Sequence, residues 1–209
     1  MKIVEPGFEI LSPLDGTGAL AAEQMLSLVE RAGRTCYKSE ERIAPGTAEK
    51  FVRMVIERGH ESVLEHASIS VLFVIDRGVS HELVRHRLCA FSQESTRYCN
   101  YGKTDVSFVR PPFWAEGEPE WVAWEHTMRV CERAYLDLLA LGAKPEEARS
   151  VLPNSLKTEI VVTANLREWR HILKLRASPK AHPQMQQVMR GLGVALAVAM
   201  PCVFEGPAC

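Results

Sequence analysis

Between Ala67 and Gly78 the chain reads "ASISVLFVIDRG", in which Ile69, Val71, Phe73 and Ile75 alternate with Ser68, Ser70, Leu72 and Val74. A period of two sustained over that length is the pattern of a β-strand, with one face fully buried and the other partly so. Such a strand needs cover on both sides, so the chain must supply packing elements of another kind. "KTEIVVTAN", Lys157 to Asn165, reads as another strand.

The flanking segments supply helices. Leu20, Gln24, Leu28 and Ala32, with Met25, Leu26 and Val29, predict an apolar helical face after the "DGTG" turn at Asp15 to Gly18. A second helix starts near Thr47, read as its N-cap, and carries Phe51, Met54, Val55 and Ile56. Ser80 is placed to cap a short helix that delivers Arg85, His86 and Arg87. Trp121, Trp124, Met128, Cys131, Tyr135 and Leu138 recur at spacings of three and four, predicting the longest helix, which Gly142 ends. Pro145 opens and Pro153 closes a shorter one. Asn165 and Glu168 are spaced as a capping box before "LREWRHILKLRA", and a last helix runs from about Gln184 to Met200. No repeat, low-complexity tract or linker interrupts the pattern, so one mixed α/β domain over residues 1–209 is expected.

A formal net charge of −1 provides no long-range field toward a nucleic-acid polymer or an anionic membrane, so any anion site has to be local. The start "MKIVEPGFEI" lacks a basic region followed by a long apolar run. No stretch approaches the roughly 18 apolar residues of a membrane helix, and a cytoplasmic protein is expected. Six cysteines, Cys36, Cys89, Cys99, Cys131, Cys202 and Cys209, form no CxxC pair and signal neither zinc nor a disulfide framework.

Cationic chemistry is concentrated in "RHRLCAFSQESTRY", Arg85 to Tyr98. Successive helical residues point about 100° apart, so on a helix Arg85, His86 and Arg87 fan too widely for one small ligand and suit two neighbouring sites. Ser95 and Arg97, two apart, put a hydroxyl and a guanidinium on one side of an extended segment, a pair that suits a phosphate. The same arginines could instead cap carbonyls, pair with Glu82 or Glu94, or meet solvent. From Asn165 to Arg190 six basic residues face one acid, Glu168. Arg176 is expected at the edge of the core, whereas Arg167, Arg170 and Lys174 read as a solvated face. In "GHESVLEH", His60, Ser62, Glu65 and His66 crowd a turn, but their spacing is not HExxH and no metal site is expected.

"GHESVLEH", "GVSHELVRHR" and "SQESTRY" together resemble the flavin-dependent thymidylate synthases, the ThyX family, whose signature is RHR, seven residues, then serine. Here these are Arg85 to Arg87, "LCAFSQE" and Ser95. "YKS" at Tyr37, "ARSVLP" at Ala148 and "ANLREWRHILKLR" at Ala164 continue the likeness in order along most of the chain.

The resemblance implies a central, mainly antiparallel sheet flanked by helices. It implies a methyltransferase that makes dTMP from dUMP, with methylenetetrahydrofolate as carbon donor and FAD reduced by NADPH. It also implies a homotetramer whose flavin and nucleotide lie where subunits meet. Carried over by position, Ser62, Arg85, His86, Arg87, Gln93, Asn165 and His171 are the FAD residues. Glu82, Arg85, Gln93, Glu94, Ser95, Thr96, Arg97, Arg149 and Arg176 surround the nucleotide, with Arg176 the catalytic cation. Glu82 stands where the family commonly has glutamine, and His171 where asparagine is frequent. Pro201 and Cys202 lack the following histidine of cysteine-dependent thymidylate synthases, so Cys202 is read as structural and no covalent attack by the enzyme is expected. Two other readings share these residues: alkylation of a different pyrimidine nucleotide, and a non-enzymatic phosphate- or RNA-binding module, which would not require "GHESVLEH".

Overall fold

In the computed structural model, which describes residues 1–14 and 18–205, the alternation of Ile69, Val71, Phe73 and Ile75 becomes strand β3, Ser68–Asp76, and all four side chains are fully buried. In chain order the other strands are β1 (Lys2–Val4), β2 (Gly7–Ser12), β4 (Ala90–Gln93), β5 (Ser107–Val109) and β6 (Lys157–Asn165). The helices are α1 (Gly18–Tyr37), α2 (Thr47–Glu57), α3 (Arg77–Leu83), α4 (Pro119–Ala140), α5 (Pro145–Ala148), α6 (Leu166–Arg176), α7 (Pro183–Ala199) and α8 (Pro201–Phe204). Four strands form an antiparallel sheet in the order β2-β3-β6-β4, while β1 and β5 pair in parallel. On β6, Thr158, Ile160, Val162 and Ala164 repeat the alternation of β3, so the two neighbours are buried on matching faces.

The chain divides into two compact units, each drawn from separated stretches. The first comprises Met1–Gly7, Phe73–Arg85 and Ser92–Ile160. Its core joins Tyr101, Val106, Phe108 and Leu156 to Met128 and Tyr135 of α4; with Trp121 these two are the buried members of the predicted face, and Trp124, Cys131 and Leu138 are half-buried. Gly142, at φ 95°, accepts the left-handed turn that ends this helix.

The second unit comprises Phe8–Leu72, His86–Phe91 and Val161–Cys209, and packs α1, α2 and α6 to α8 around the 3₁₀ turn Glu61–His66. The buried face of α1 is Ala21, Ala22, Met25, Leu26 and Val29; Leu20 and Leu28 are 63% and 48% exposed, against expectation. This stripe lies one position on from Leu20 and Leu28, so the turn of the helix carries both leucines outward while α1 packs against α2. Gly33 serves the same contact, because a Cβ there would lie 2.5 Å from the Phe51 ring of α2. Thr47 is the first residue of α2 rather than its cap, which is Gly46. Its hydroxyl donates 2.9 Å to Glu30, a fully buried carboxylate that also receives Arg34. Apart from Gly18, the expected "DGTG" turn lies outside the described residues, as does Cys209.

Candidate functional site

The helix before the RHR segment starts and stops earlier than its sequence suggests. Asp76 caps α3 by accepting the Val79 N–H at 2.7 Å, and Ser80 lies inside the helix, donating to the Arg77 carbonyl. A cap four residues earlier exhausts the helix at Leu83, so Arg85, His86 and Arg87 occupy the turn into β4 rather than a helix. The helical fan is therefore absent, yet the residues still part company: Arg85 belongs to the first compact unit, His86 and Arg87 to the second.

In the first unit, Ser95 to Arg97 form a tight turn, not an extended segment. The Ser95 carbonyl accepts from Tyr98 and Cys99, and its Oγ accepts the Arg97 N–H at 3.3 Å. Serine favours such turns because its hydroxyl bonds the backbone two residues on. The turn gathers the predicted phosphate residues, and Arg149 Nη1 donates 3.1 Å to Thr96 Oγ1. Arg97 is exposed and pairs at 3.0 Å with Glu146. Gln93 donates through Nε2 to Ser80 and Thr158, and Glu82 is half-buried on α3.

Glu94 carries a larger internal role than its motif suggests. Its carboxylate accepts from the Tyr101 hydroxyl at 2.8 Å, Lys157 Nζ at 3.1 Å and the Glu159 N–H at 3.1 Å. Burial and this bond to Glu94 push the Tyr101 phenol up. Burial works against the Lys157 ammonium, but bonds to Glu159 and Glu94 outweigh it and raise its pKa. Sequence reasoning missed Tyr101 and Lys157, for nothing in the spacing of Glu94 and Lys157, 63 residues apart, links them. Glu94→Ala is expected to cost about 3 kcal/mol by leaving the Tyr101 hydroxyl and the Glu159 N–H without their acceptor and Lys157 with Glu159 alone. A calorimetric Tm about 8 °C lower would follow for a chain of this size.

In the second unit, Asn165 caps α6 by accepting the Glu168 N–H at 2.8 Å. The capping box is not completed, because the Glu168 side chain turns to His86: Nδ1 lies 3.3 Å from Oε1. Arg176 Nε donates 3.0 Å to the other nitrogen, Nε2. Arg176 sits at the edge of the core, as expected. Arg170 is buried rather than solvated, bonded to the Val203 carbonyl and to Glu61, because its position on α6 faces α8. Asn165 and His171 line a cavity of about 490 Å³ with Arg167, Arg170 and Lys174; Ser62 lines another of about 340 Å³, and Arg87 is exposed. In the Glu61–His66 turn, Glu65 pairs with Arg167 at 2.6 Å.

Burial, then the charges of Arg176 and His171, lowers His86 to about 4. Burial raises Glu168, against His171 and Arg167. The contact between them is therefore a hydrogen bond donated by a neutral imidazole to the Glu168 carboxyl. His86, Glu168 and His171 also hold potential metal-ligand atoms within 4.8 Å of one another, a cluster no sequence spacing reveals. Arg176 already fills one His86 nitrogen with a fixed positive charge, which opposes a dication there. Burial pushes Cys202 up to about 11 and Cys89 to about 12, so neither thiol is activated.

The His86 titration has a definite sign. An unfolded histidine titrates near 6.5 and the folded one near 4, so between those values the unfolded chain binds the extra proton. This contribution to stability is fully present above pH 6.5 and lost as pH falls toward 4. Wild type should lose about 3 kcal/mol relative to His86→Gln over that window, measured by urea unfolding at each pH.

Comparison with known proteins agrees with the motifs. The model of the Thy1 family, "Thymidylate synthase complementing protein", matches residues 20–202. A flavin-dependent thymidylate synthase of Mycobacteroides abscessus is 38% identical over 215 residues, covering 94% of this chain and 85% of that protein. The fold is similar to that of the flavin-dependent thymidylate synthase ThyX from Helicobacter pylori, solved with FAD and dUMP. That likeness has a TM-score of 0.72 and 27% identity, over 86% of this chain and 93% of the other. The UMP/dUMP methylase PolB from Streptomyces cacaoi shares the fold at TM-score 0.78 and 24% identity, over 98% and 96% of the two chains. Short motifs can recur by chance, but a family match along nearly the whole length joined to 38% identity cannot, and this chain belongs to the flavin-dependent thymidylate synthases.

Proposed function

We propose that the protein converts dUMP to dTMP by FAD-dependent reductive methylation, using methylenetetrahydrofolate as carbon donor and NADPH as reductant, with no enzyme nucleophile. The observation that carries the reading is the turn at Ser95 to Arg97, braced by the bond from Arg149 to Thr96. It brings the Arg149 guanidinium to the Thr96 hydroxyl in the turn that carries Ser95 and Arg97, and these donors suit a nucleotide phosphate once Arg97 exchanges Glu146 for it.

The second unit offers a matching chemistry for the flavin. Asn165 and His171 line a polar cavity in which Arg167, Arg170 and Lys174 are balanced by Glu61, Glu65 and Glu168, and we read it as the flavin site, with Ser62 and Arg87 as further donors. FAD, once bound and reduced, supplies the hydride. Arg176 faces the pyrimidine and stabilises negative charge as it develops on the ring, a task for a cation that keeps its proton near neutral pH. The raised thiols support a mechanism without cysteine attack. We place residues 1–209 in one catalytic domain of a cytoplasmic homotetramer with shared sites, with no nucleic-acid polymer or membrane as partner. Among the described residues no helix is long and apolar enough to cross a membrane.

The purified protein should be yellow and should form dTMP from dUMP, methylenetetrahydrofolate and NADPH. A colourless protein that takes up no FAD would sink the flavin reading. A yellow protein that methylates UMP but not dUMP would transfer the activity to the other pyrimidine nucleotide.

A further inference from the structure

Arginine has five N–H donors and no acceptor. The Arg176 Nε contact at 3.0 Å therefore requires a lone pair on His86 Nε2, and the ring proton must sit on Nδ1. There it meets Glu168 Oε1 at 3.3 Å. His86 and Glu168 are 6% and 7% exposed, so neither contact competes with bulk water. Glu168 stands in the first turn of α6 and Arg176 at its end, and His86, from the turn after α3, ties the two ends together. Asn165 in turn fixes the Glu168 backbone.

We infer that the histidine of the RHR segment is a positioning residue: Glu168 holds His86 in its Nδ1–H tautomer, and His86 Nε2 anchors Arg176 through Nε, fixing the plane of the guanidinium. The inference rests on the reading of Arg176 as the group that faces the pyrimidine. Burial keeps the imidazole neutral at working pH, so the acceptor is present when the arginine needs it. Histidine suits the place because it alone joins an acceptor and a donor across a rigid ring. Arginine suits the other because its Nε–H can be anchored without occupying the terminal nitrogens.

The test is a double-mutant cycle read per bound flavin. His86→Ala should retain flavin and lower kcat roughly 10²-fold with little change in KM for dUMP, as expected when a reacting group is misplaced by about 1 Å. His86→Gln, which keeps an acceptor near the reach of Nε2, should recover most of that loss. His86→Ala combined with Arg176→Ala should be no slower than Arg176→Ala alone. Independently of activity, ¹⁵N NMR of the flavin-free wild type should show His86 protonated at Nδ1, with the Arg176 Nε–H resolved and slow to exchange. Losses that add in the double variant, a His86→Ala that sheds its flavin while kcat per flavin stays unchanged, or a His86 protonated at Nε2 would each overturn the inference alone. A fully active Arg176→Ala would instead overturn the role of Arg176, and the inference with it. Should His86→Ala fail to fold, the glutamine variant and the wild-type NMR decide the matter.

Discussion

Arg176→Ala is expected to lower dTMP formation by roughly 10²- to 10³-fold while the protein remains yellow. The size follows from removing one preorganised donor aimed at developing charge in a site where it needs no reorganisation. Retention of flavin would follow from the separation of residues along α6: Asn165 and His171 line the cavity of about 490 Å³, whereas Arg176 ends the helix against His86. Arg176→Lys keeps the charge but not the planar fork or the Nε–H, and should recover only a small part of the rate. Stopped-flow absorbance separates the steps: NADPH should still reduce the flavin in Arg176→Ala, and reoxidation with dUMP and methylenetetrahydrofolate should stall. Normal reoxidation would remove Arg176 from the chemistry.

Trp169→Ala should be the most destabilising single change in the second unit. The indole is fully buried, and its Nε1–H donates 3.0 Å to the Ile69 carbonyl of β3. Truncation removes the largest fully buried side chain and strands a backbone acceptor, at a cost of about 4 kcal/mol for the volume and about 1 kcal/mol for the carbonyl. The Tm should fall by roughly 10–20 °C. Trp169→Phe keeps most of the volume and should cost about 2 kcal/mol, dividing packing from hydrogen bond. A loss of only a degree or two in Trp169→Ala would mean that α6 does not depend on this contact for its seat on the strand.

Local periodicity carried the strands and the long helix. Alternation in β3 and β6 and the spacing of Trp121, Met128 and Tyr135 are properties of neighbouring residues, and burial follows them closely. Competing caps were harder to read. Asp76 and Ser80 both suit a helix start, and the stronger acceptor won, moving Arg85 to Arg87 off the helix. Arg170 looked solvated because its buried partners, Val203 and Glu61, lie 33 and 109 residues away. The same distance problem hid the link from Glu168 through His86 to Arg176, whose members are 82 and 90 residues apart. The ordered motifs singled out these segments, while the contacts among their side chains depend on pairings that no local spacing encodes.

The way the two units interleave along the chain bears on how the protein is made. The sequence passes between them at Gly7, Leu72, Arg85, Phe91 and Ile160, so neither unit corresponds to a continuous piece of gene. During synthesis, the first unit lacks its last strand until residue 160 has left the ribosome, and the second lacks α6 to α8 until nearly the whole chain has emerged. Nascent α1 and α2 can pack on each other but wait for the cover that α7 and α8 give them, the circumstance in which chaperones act. Assembly must come late and nearly all at once, and the RHR segment, standing at one of these passages, is among the last places to acquire its final neighbours.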